Sequence, residues 1–287
     1  MIRKIFIIIL VLVGAALLSY PWFSNWYAGL ESQKVIEDYQ DKAAALNEES
    51  IDEEIARAEA YNKSLSGVYV DDPFVPGSGT AIPRGYDELL NPDGSGVMAV
   101  LRIPKIDLRL PVSHSVSDEV LKHGIGHMPT TALPVGGPGT HCILAGHRGL
   151  PRQELFTRLD VLEPGDEFYL DVPGMTSAYR IDDIRIVHPE DTDLLKPVTG
   201  EDYVTLATCT PLGVNSHRLL VRGKRIPYVQ IHEQQVPKRT GLSASELQLL
   251  IGASAALIVM TAMIVMAAKR RNRRNLQLRS HPSSEAD

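Results

Sequence analysis

From Val97 to about Ile231 the chain is a succession of short, alternating, β-prone stretches broken by glycine and proline. Met98 to Ile103, Ile106 to Val112, Thr140 to Ala145, Glu167 to Val172, Tyr179 to Val187, Tyr203 to Thr208 and Leu219 to Arg225 each read as a strand of ordinary length. A series of this kind, with no internal repeat, restricts the region to a closed barrel or a sandwich. One helix is expected to interrupt it, near Gln153 to Leu159.

The flanks obey different rules. Ile5 to Leu18 is continuously apolar or small, follows Arg3 and Lys4, and runs into Tyr20, Trp22, Phe23, Trp26 and Tyr27, the ring-bearing residues that collect at a membrane interface. A cleaved signal peptide shares the basic start and short apolar core. No convincing small-x-small site follows, so an uncleaved anchor is expected over 1–27. Leu247 to Ala268 carries no charge and is followed by Lys269, Arg270, Arg271, Arg273 and Arg274. As a helix it would extend ~33 Å, enough to cross a bilayer core. The positive-inside rule puts both basic ends in the cytoplasm and residues from about 28 to 246 outside. The net charge of −6 gives no reason to expect nucleic-acid binding.

Between the first anchor and the β-rich region, residues 28–66 read as helical, with a break near Asn47 and with Ser50 and Glu53 as a capping box. A solvated spacer is the expected role. Residues 67–84 form a Pro-punctuated loop with one exposed-looking aromatic, Phe74. The remaining divisions are the β domain at 85–232, a polar linker at 233–246, the second anchor at 247–268 and a basic tail at 269–287.

The chemistry concentrates where the β-stretches end. In Tyr203-Val204-Thr205-Leu206-Ala207-Thr208-Cys209, alternation puts Tyr203, Thr205, Ala207 and Cys209 on one face. Cys209 closes the stretch at a loop mouth, Thr210-Pro211-Leu212-Gly213, and Arg218 returns on the next stretch with Arg222 at the same parity. A thiol must ionise to attack a carbonyl, and a nearby guanidinium or imidazole favours that. A structural thiol and a surface cation are the plainer readings. Only one other cysteine exists, Cys142, inside the apolar stretch His141 to Ala145; it reads as core, although a disulfide outside the cytoplasm is compatible with two cysteines. Nine histidines offer a proton carrier, and spacing alone does not choose among them. His147 ends an apolar strand, His217 adjoins Arg218, and His141 with His147 and a cysteine matches no usual zinc spacing.

Thr205-Leu206-Ala207-Thr208-Cys209 resembles the Thr-Leu-x-Thr-Cys motif of sortases, membrane-bound cysteine transpeptidases of Gram-positive bacteria. The run from Cys209 through Arg218 to Gly223, and Gly146-His147-Arg148-Gly149-Leu150-Pro151, are similar to the pilus-building class C. The resemblance covers about Val97 to Arg225 and the flanking anchors. It implies a mostly β fold: an eight-stranded barrel with short helices, preceded by N-terminal helices and flanked by two transmembrane helices. It implies Cys209 as nucleophile, His147 as acid/base partner and Arg218 as the oxyanion or substrate clamp, with no cofactor or metal. Asp72-Pro73-Phe74 resembles the class C lid, which implies that Asp72 pairs with Arg218 and Phe74 covers Cys209. Many lids carry Trp where this chain has Phe, so a smaller covering contact is implied.

The implied function is cleavage of a Leu-Pro-x-Thr-Gly-like sorting signal after Thr and transfer of the acyl group from Cys209 to a lysine amine. The implied partners are pilin subunits that carry C-terminal sorting signals, one of which supplies that lysine; the implied location is the cell membrane, with the catalytic domain outside. A sortase that anchors single proteins to cell-wall precursor and a hydrolytic cysteine peptidase are alternatives. A wall-anchored substrate protein is a third, because Val236-Pro237-Lys238-Arg239-Thr240-Gly241 precedes an apolar run and a basic tail. That stretch departs from a sorting motif by an extra residue and by Val in place of Leu.

Overall fold

The structure, a computed structural model, describes residues 2–65, 72–75, 82–150, 153–229 and 266. The chain falls into two units, Pro21–Lys238 and Met1–Tyr20 with Arg239–Asp287. The first unit carries eight strands: β1 (Val97–Ile103), β2 (Leu108–His114), β3 (Ile125–His127), β4 (Thr140–Ala145), β5 (Glu167–Val172), β6 (Met175–Val187), β7 (Asp202–Thr210) and β8 (His217–Ile226). They close into a barrel in the order β1-β2-β3-β4-β7-β8-β6-β5. The β2–β3 and β4–β7 pairings are parallel; the others are antiparallel.

Closure explains the sequence pattern. Alternating residues such as Leu101, Ile103, Leu110, Phe168, Leu170, Val204, Leu206 and Val221 fill one continuous core. The Phe168 and Tyr179 rings stack at 5.5 Å in it. Gly223 lies against them, and a Cβ there would come within 2.5 Å of Phe168. β4 and β7 are buried on both faces, from His141 to Ala145 and from Tyr203 to Thr210, as expected of adjacent parallel strands covered on both sides. A second apolar cluster, including Ile143, Ala145, Leu195, Ala207 and Leu220, lies outside the barrel wall and receives Phe74.

The helices before the barrel are docked rather than solvated, which corrects the spacer expectation. Helix α1 (Ile2–Ala44) sets Ile36 and Tyr39 against Val97 and Val100 of β1, and the Tyr39 hydroxyl donates to the Met98 carbonyl at 2.8 Å. Helix α2 (Glu48–Ser64) buries Ala58 and Tyr61 in the main core. Asn62 accepts from the Leu133 amide at 2.7 Å and donates to the Leu133 carbonyl at 3.3 Å. The break falls where expected, but the cap is Asn47, whose side chain accepts from the Ser50 amide at 2.7 Å; Ser50 itself is inside the helix. The helix expected at Gln153 to Leu159 is absent. Leu155 has a positive φ of 36° there, and only a 3-10 turn forms, at Leu159–Val161. The short helix α3 (Asp118–His123), capped by Ser117, stands elsewhere.

Among the described residues no helix is long and apolar enough to cross a membrane. The structure therefore does not support the expected pair of transmembrane helices. The second of them, 247–268, lies outside the described residues except for Met266, as do the linker from residue 230 onward and the basic tail.

Two buried histidines tie loops to the barrel. His127 accepts from the Tyr86 hydroxyl at Nδ1 and donates from Nε2 to the Ala132 carbonyl, at 2.8 and 2.9 Å. His141 donates to the Lys196 carbonyl at 3.1 Å and accepts from the Thr205 hydroxyl at 2.8 Å. Burial pushes His127 down to about 3 and His141 down to about 4. An unfolded chain protonates these rings near about 6.5, so below that pH the unfolded state binds more protons than the fold. The expected result is a loss of ~1.4 kcal/mol per pH unit for each ring as pH falls from about 6.5 toward those lower values. Urea midpoints recorded from pH 7 to pH 4 should fall steadily, and less steeply in a His141→Gln variant. A flat midpoint would contradict the burial of both rings.

Candidate active site

The parallel β4–β7 ladder delivers two of the expected residues to one rim. Its register pairs Thr140 with Asp202 and continues to Ala145 with Ala207. The Gly146 amide extends it, donating to the Ala207 carbonyl at 3.1 Å. The Thr208 hydroxyl then donates to the Gly146 carbonyl at 2.8 Å. Carried one step further, the same register sets His147 beside Cys209. Gly146 permits this approach, since a Cβ there would lie 2.5 Å from Ile125 and 2.9 Å from Phe156. On the other side of β7, the antiparallel register pairs Cys209 with Arg218 directly. Thiol and guanidinium thus sit on the neighbouring strands β7 and β8, and the imidazole follows two residues past the end of β4 on the other side of β7.

Asp72, Pro73 and Phe74 lie against that line. Arg218 donates to Asp72 through Nε at 2.9 Å and through Nη2 at 2.7 Å, a two-pronged pair with both side chains nearly buried. Phe74 lies between His147 and Arg218, its ring 6.0 Å from the imidazole and 5.3 Å from the guanidinium. Pro73 is buried with Asp72. A small cavity of about 10 Å³, lined by Asp72, Pro73, Val187, His188, Leu195 and Arg218, lies on the Arg218 side of this contact and has room for no more than a water.

This cover sets the protonation of the site. Burial raises the Cys209 thiol above its ordinary value; Arg218 opposes the shift and Asp72 adds to it. Burial also lowers His147, with Asp118 opposing. Both shifts favour the neutral forms of the covered pair. Arg218 is held charged, because the bonds to Asp72 outweigh the desolvation that acts against it. The pH at which iodoacetamide alkylates Cys209 at half its maximal rate should therefore lie above the usual thiol value of about 8.5. A midpoint at or below that value would contradict the covered state.

The competing candidates are placed apart from this line. Arg222 is paired with Asp182 at 2.8 Å and stacks over Tyr203 at 4.3 Å. His141 is engaged by Lys196 and Thr205. His217 packs against His188 with ring centroids 4.3 Å apart and the rings tilted by 38°. Cys142 and Cys209 are both free thiols, and Cys142 is sealed in the core at 2% exposure. Sequence reasoning gave no role to Thr208 or Arg148. Their contribution depends on the register of two strands separated by sixty residues of chain, and only the flanking position of each beside Cys209 or His147 hinted at it.

A strand-end thiol flanked by an imidazole and a guanidinium on one barrel rim defines a thiol-centred site. Residues 101–226 match the sortase domain family. The sortase SrtE1 of Streptomyces coelicolor is 32% identical over 142 residues, which cover 45% of this chain and 40% of that protein. The match thus spans well under half of the Streptomyces relative. Among solved structures, sortase C-1 of Actinomyces oris is 45% identical with a TM-score of 0.59, over 63% of this chain and 99% of that one. A pilus-related sortase C of Group B Streptococcus is 42% identical with a TM-score of 0.62, over 67% and 97%. The chain belongs to the sortase family, and within it to class C.

Proposed function

We propose that this protein is a transpeptidase that cleaves a Leu-Pro-x-Thr-Gly-like sorting signal after Thr, holds the acyl group on Cys209, and passes it to a lysine amine of a pilin subunit. The observation that carries the reading is the shared register end of β4 and β7, which sets His147 beside Cys209 with Arg218 opposite. Once the lid moves, the Cys209 thiol gives its proton to His147, and the resulting thiolate attacks the Thr carbonyl carbon. The oxyanion that forms accepts hydrogen bonds from Arg218. The C–N bond breaks as imidazolium His147 gives its proton to the departing glycine amine, leaving a thioester. The incoming lysine amine then loses a proton to His147 and attacks the thioester, and the thiolate leaves. Transfer to a pilin is supported by the likeness to the pilus-related streptococcal enzyme.

Asp72, Pro73 and Phe74 act as an autoinhibitory lid in this reading. With Arg218 engaged by Asp72 and the Phe74 ring set between His147 and Arg218, a peptide reaches these groups only after the lid moves. The same reading has the protein associated with the membrane, as sortases are.

The test is mass spectrometry of the external domain after incubation with a sorting-signal peptide. An acyl adduct on Cys209 that is discharged by an added amine is expected. Adduct on any other residue, or hydrolysis with no amine product at saturating amine, would refute the transpeptidase reading.

A further inference from the structure

The parallel ladder between β4 and β7 runs out of backbone hydrogen bonds one step before the chemistry. Its last backbone contact joins the Gly146 amide to the Ala207 carbonyl. Two side-chain contacts continue the register on either side of the His147–Cys209 position. Below it, the Thr208 hydroxyl donates to the Gly146 carbonyl. Above it, Arg148 Nη1 donates to the Thr210 hydroxyl at 3.2 Å. Both link residues sixty-two positions apart, the offset of the ladder itself.

Arg148 is well placed to hold that upper contact. Its side chain is 10% exposed, and its other prong is gripped by Asp160, in the 3-10 turn that follows the His147 loop. The Phe156 amide donates to the His147 carbonyl at 3.1 Å, fixing the same loop from below. The guanidinium is bought at a cost: among the described residues its Nε–H is buried with no acceptor. A buried, incompletely satisfied cation is a poor device for stability alone. Its geometry suits a different task, which is to keep the residue after His147 against the residue after Cys209.

We propose that Arg148 is a positioning residue: by bonding Thr210 and bracing on Asp160, it extends the β4–β7 register past its last backbone bond and sets the approach of the His147 imidazole to the Cys209 sulfur. The proposal rests on the transpeptidase reading above. Arg148 touches no reacting atom; it acts through the backbone of its two neighbours.

The discriminating variant is Thr210→Val, which removes the acceptor hydroxyl and keeps the shape. Arg148→Ala and Arg148→Lys accompany it, all measured by single-turnover acylation with a sorting-signal peptide, by KM and kcat, and by melting temperature. Thr210→Val should lower kcat about tenfold or more while KM stays within about twofold, because misplacement of a proton donor costs rate rather than binding. Its melting temperature should stay native, and its pH–rate profile should change shape on the limb set by His147. Arg148→Lys should recover part of the rate lost in Arg148→Ala. Native kcat in Thr210→Val, or a loss of kcat that merely follows the folded fraction, overturns the proposal. Wild-type protein that forms no adduct while Cys209 still alkylates sinks the transpeptidase reading instead, so the two failures are separable.

Discussion

Replacing Cys209 with alanine is expected to abolish thioester formation and to lower turnover of a sorting-signal peptide on the order of 10⁴-fold or more, the usual consequence of deleting a nucleophile. The fold should survive the change. Cys209 sits near the end of β7 at 9% exposure, and Ala207 two residues earlier shows that a methyl group is accommodated on this strand. Loss of one sulfur from such a position costs about 1 kcal/mol, far too little to unfold a barrel. Cys209→Ser should be nearly as inactive, because a hydroxyl does not ionise at the pH where a thiol can. Cys142 cannot substitute, being sealed in the core with its thiol pushed well up by burial. Turnover near wild-type level in Cys209→Ala, at native melting temperature, would remove Cys209 from the mechanism.

Opening the lid is expected to have the next largest effect, in the opposite direction. Asp72→Ala deletes the two-pronged contact to Arg218. Hydrogen bonds between charged groups contribute roughly 1.5–3 kcal/mol, and each ~1.4 kcal/mol taken from the closed state raises the open fraction tenfold. Alkylation of Cys209 near neutral pH should therefore accelerate about ten- to a hundredfold. A second contribution has the same sign, since both burial and the Asp72 charge raise the Cys209 thiol and both diminish in the variant. Adding Phe74→Ala removes the ring between His147 and Arg218 and should increase the rate further. Arg218→Ala makes the informative contrast: it also frees the lid, but transpeptidation should fall, because the oxyanion loses its donor. An alkylation rate unchanged by Asp72→Ala would rule out a covering role for the loop.

Much of the barrel was legible because strand alternation is a local signal. Thr140 to Ala145 and Glu167 to Val172 were placed to the residue. The misses share a cause. β3 spans only Ile125–His127, too short for a period to show, and α3 is a six-residue helix marked by Asp118 and Glu119 at its start and Lys122 and His123 at its end rather than by a repeat. The apparent helical pattern near Leu155 and Phe156 came from two core-filling side chains on a turn. For the candidate site, Cys209 and Arg218 could be paired from a plain hairpin, since their strands are consecutive. His147 could not, because its position beside Cys209 depends on a parallel pairing between strands with two others intervening. Resemblance alone chose it over eight other histidines. The Asp72–Arg218 contact, across 146 residues, is equally invisible to spacing.

The closed order of the strands has a consequence for how such an enzyme can diversify. Thiol and guanidinium project from the wall of a sheet that has no edge, fixed by ladder register, and the imidazole follows directly on the end of β4. The stretches that frame the groove, 188–201 and 211–216, are connections attached to those same strands. They can lengthen, shorten or be exchanged between relatives without moving the reacting atoms. Variation in what such a site accepts can then arise in loops grafted onto an unchanged chemical chassis.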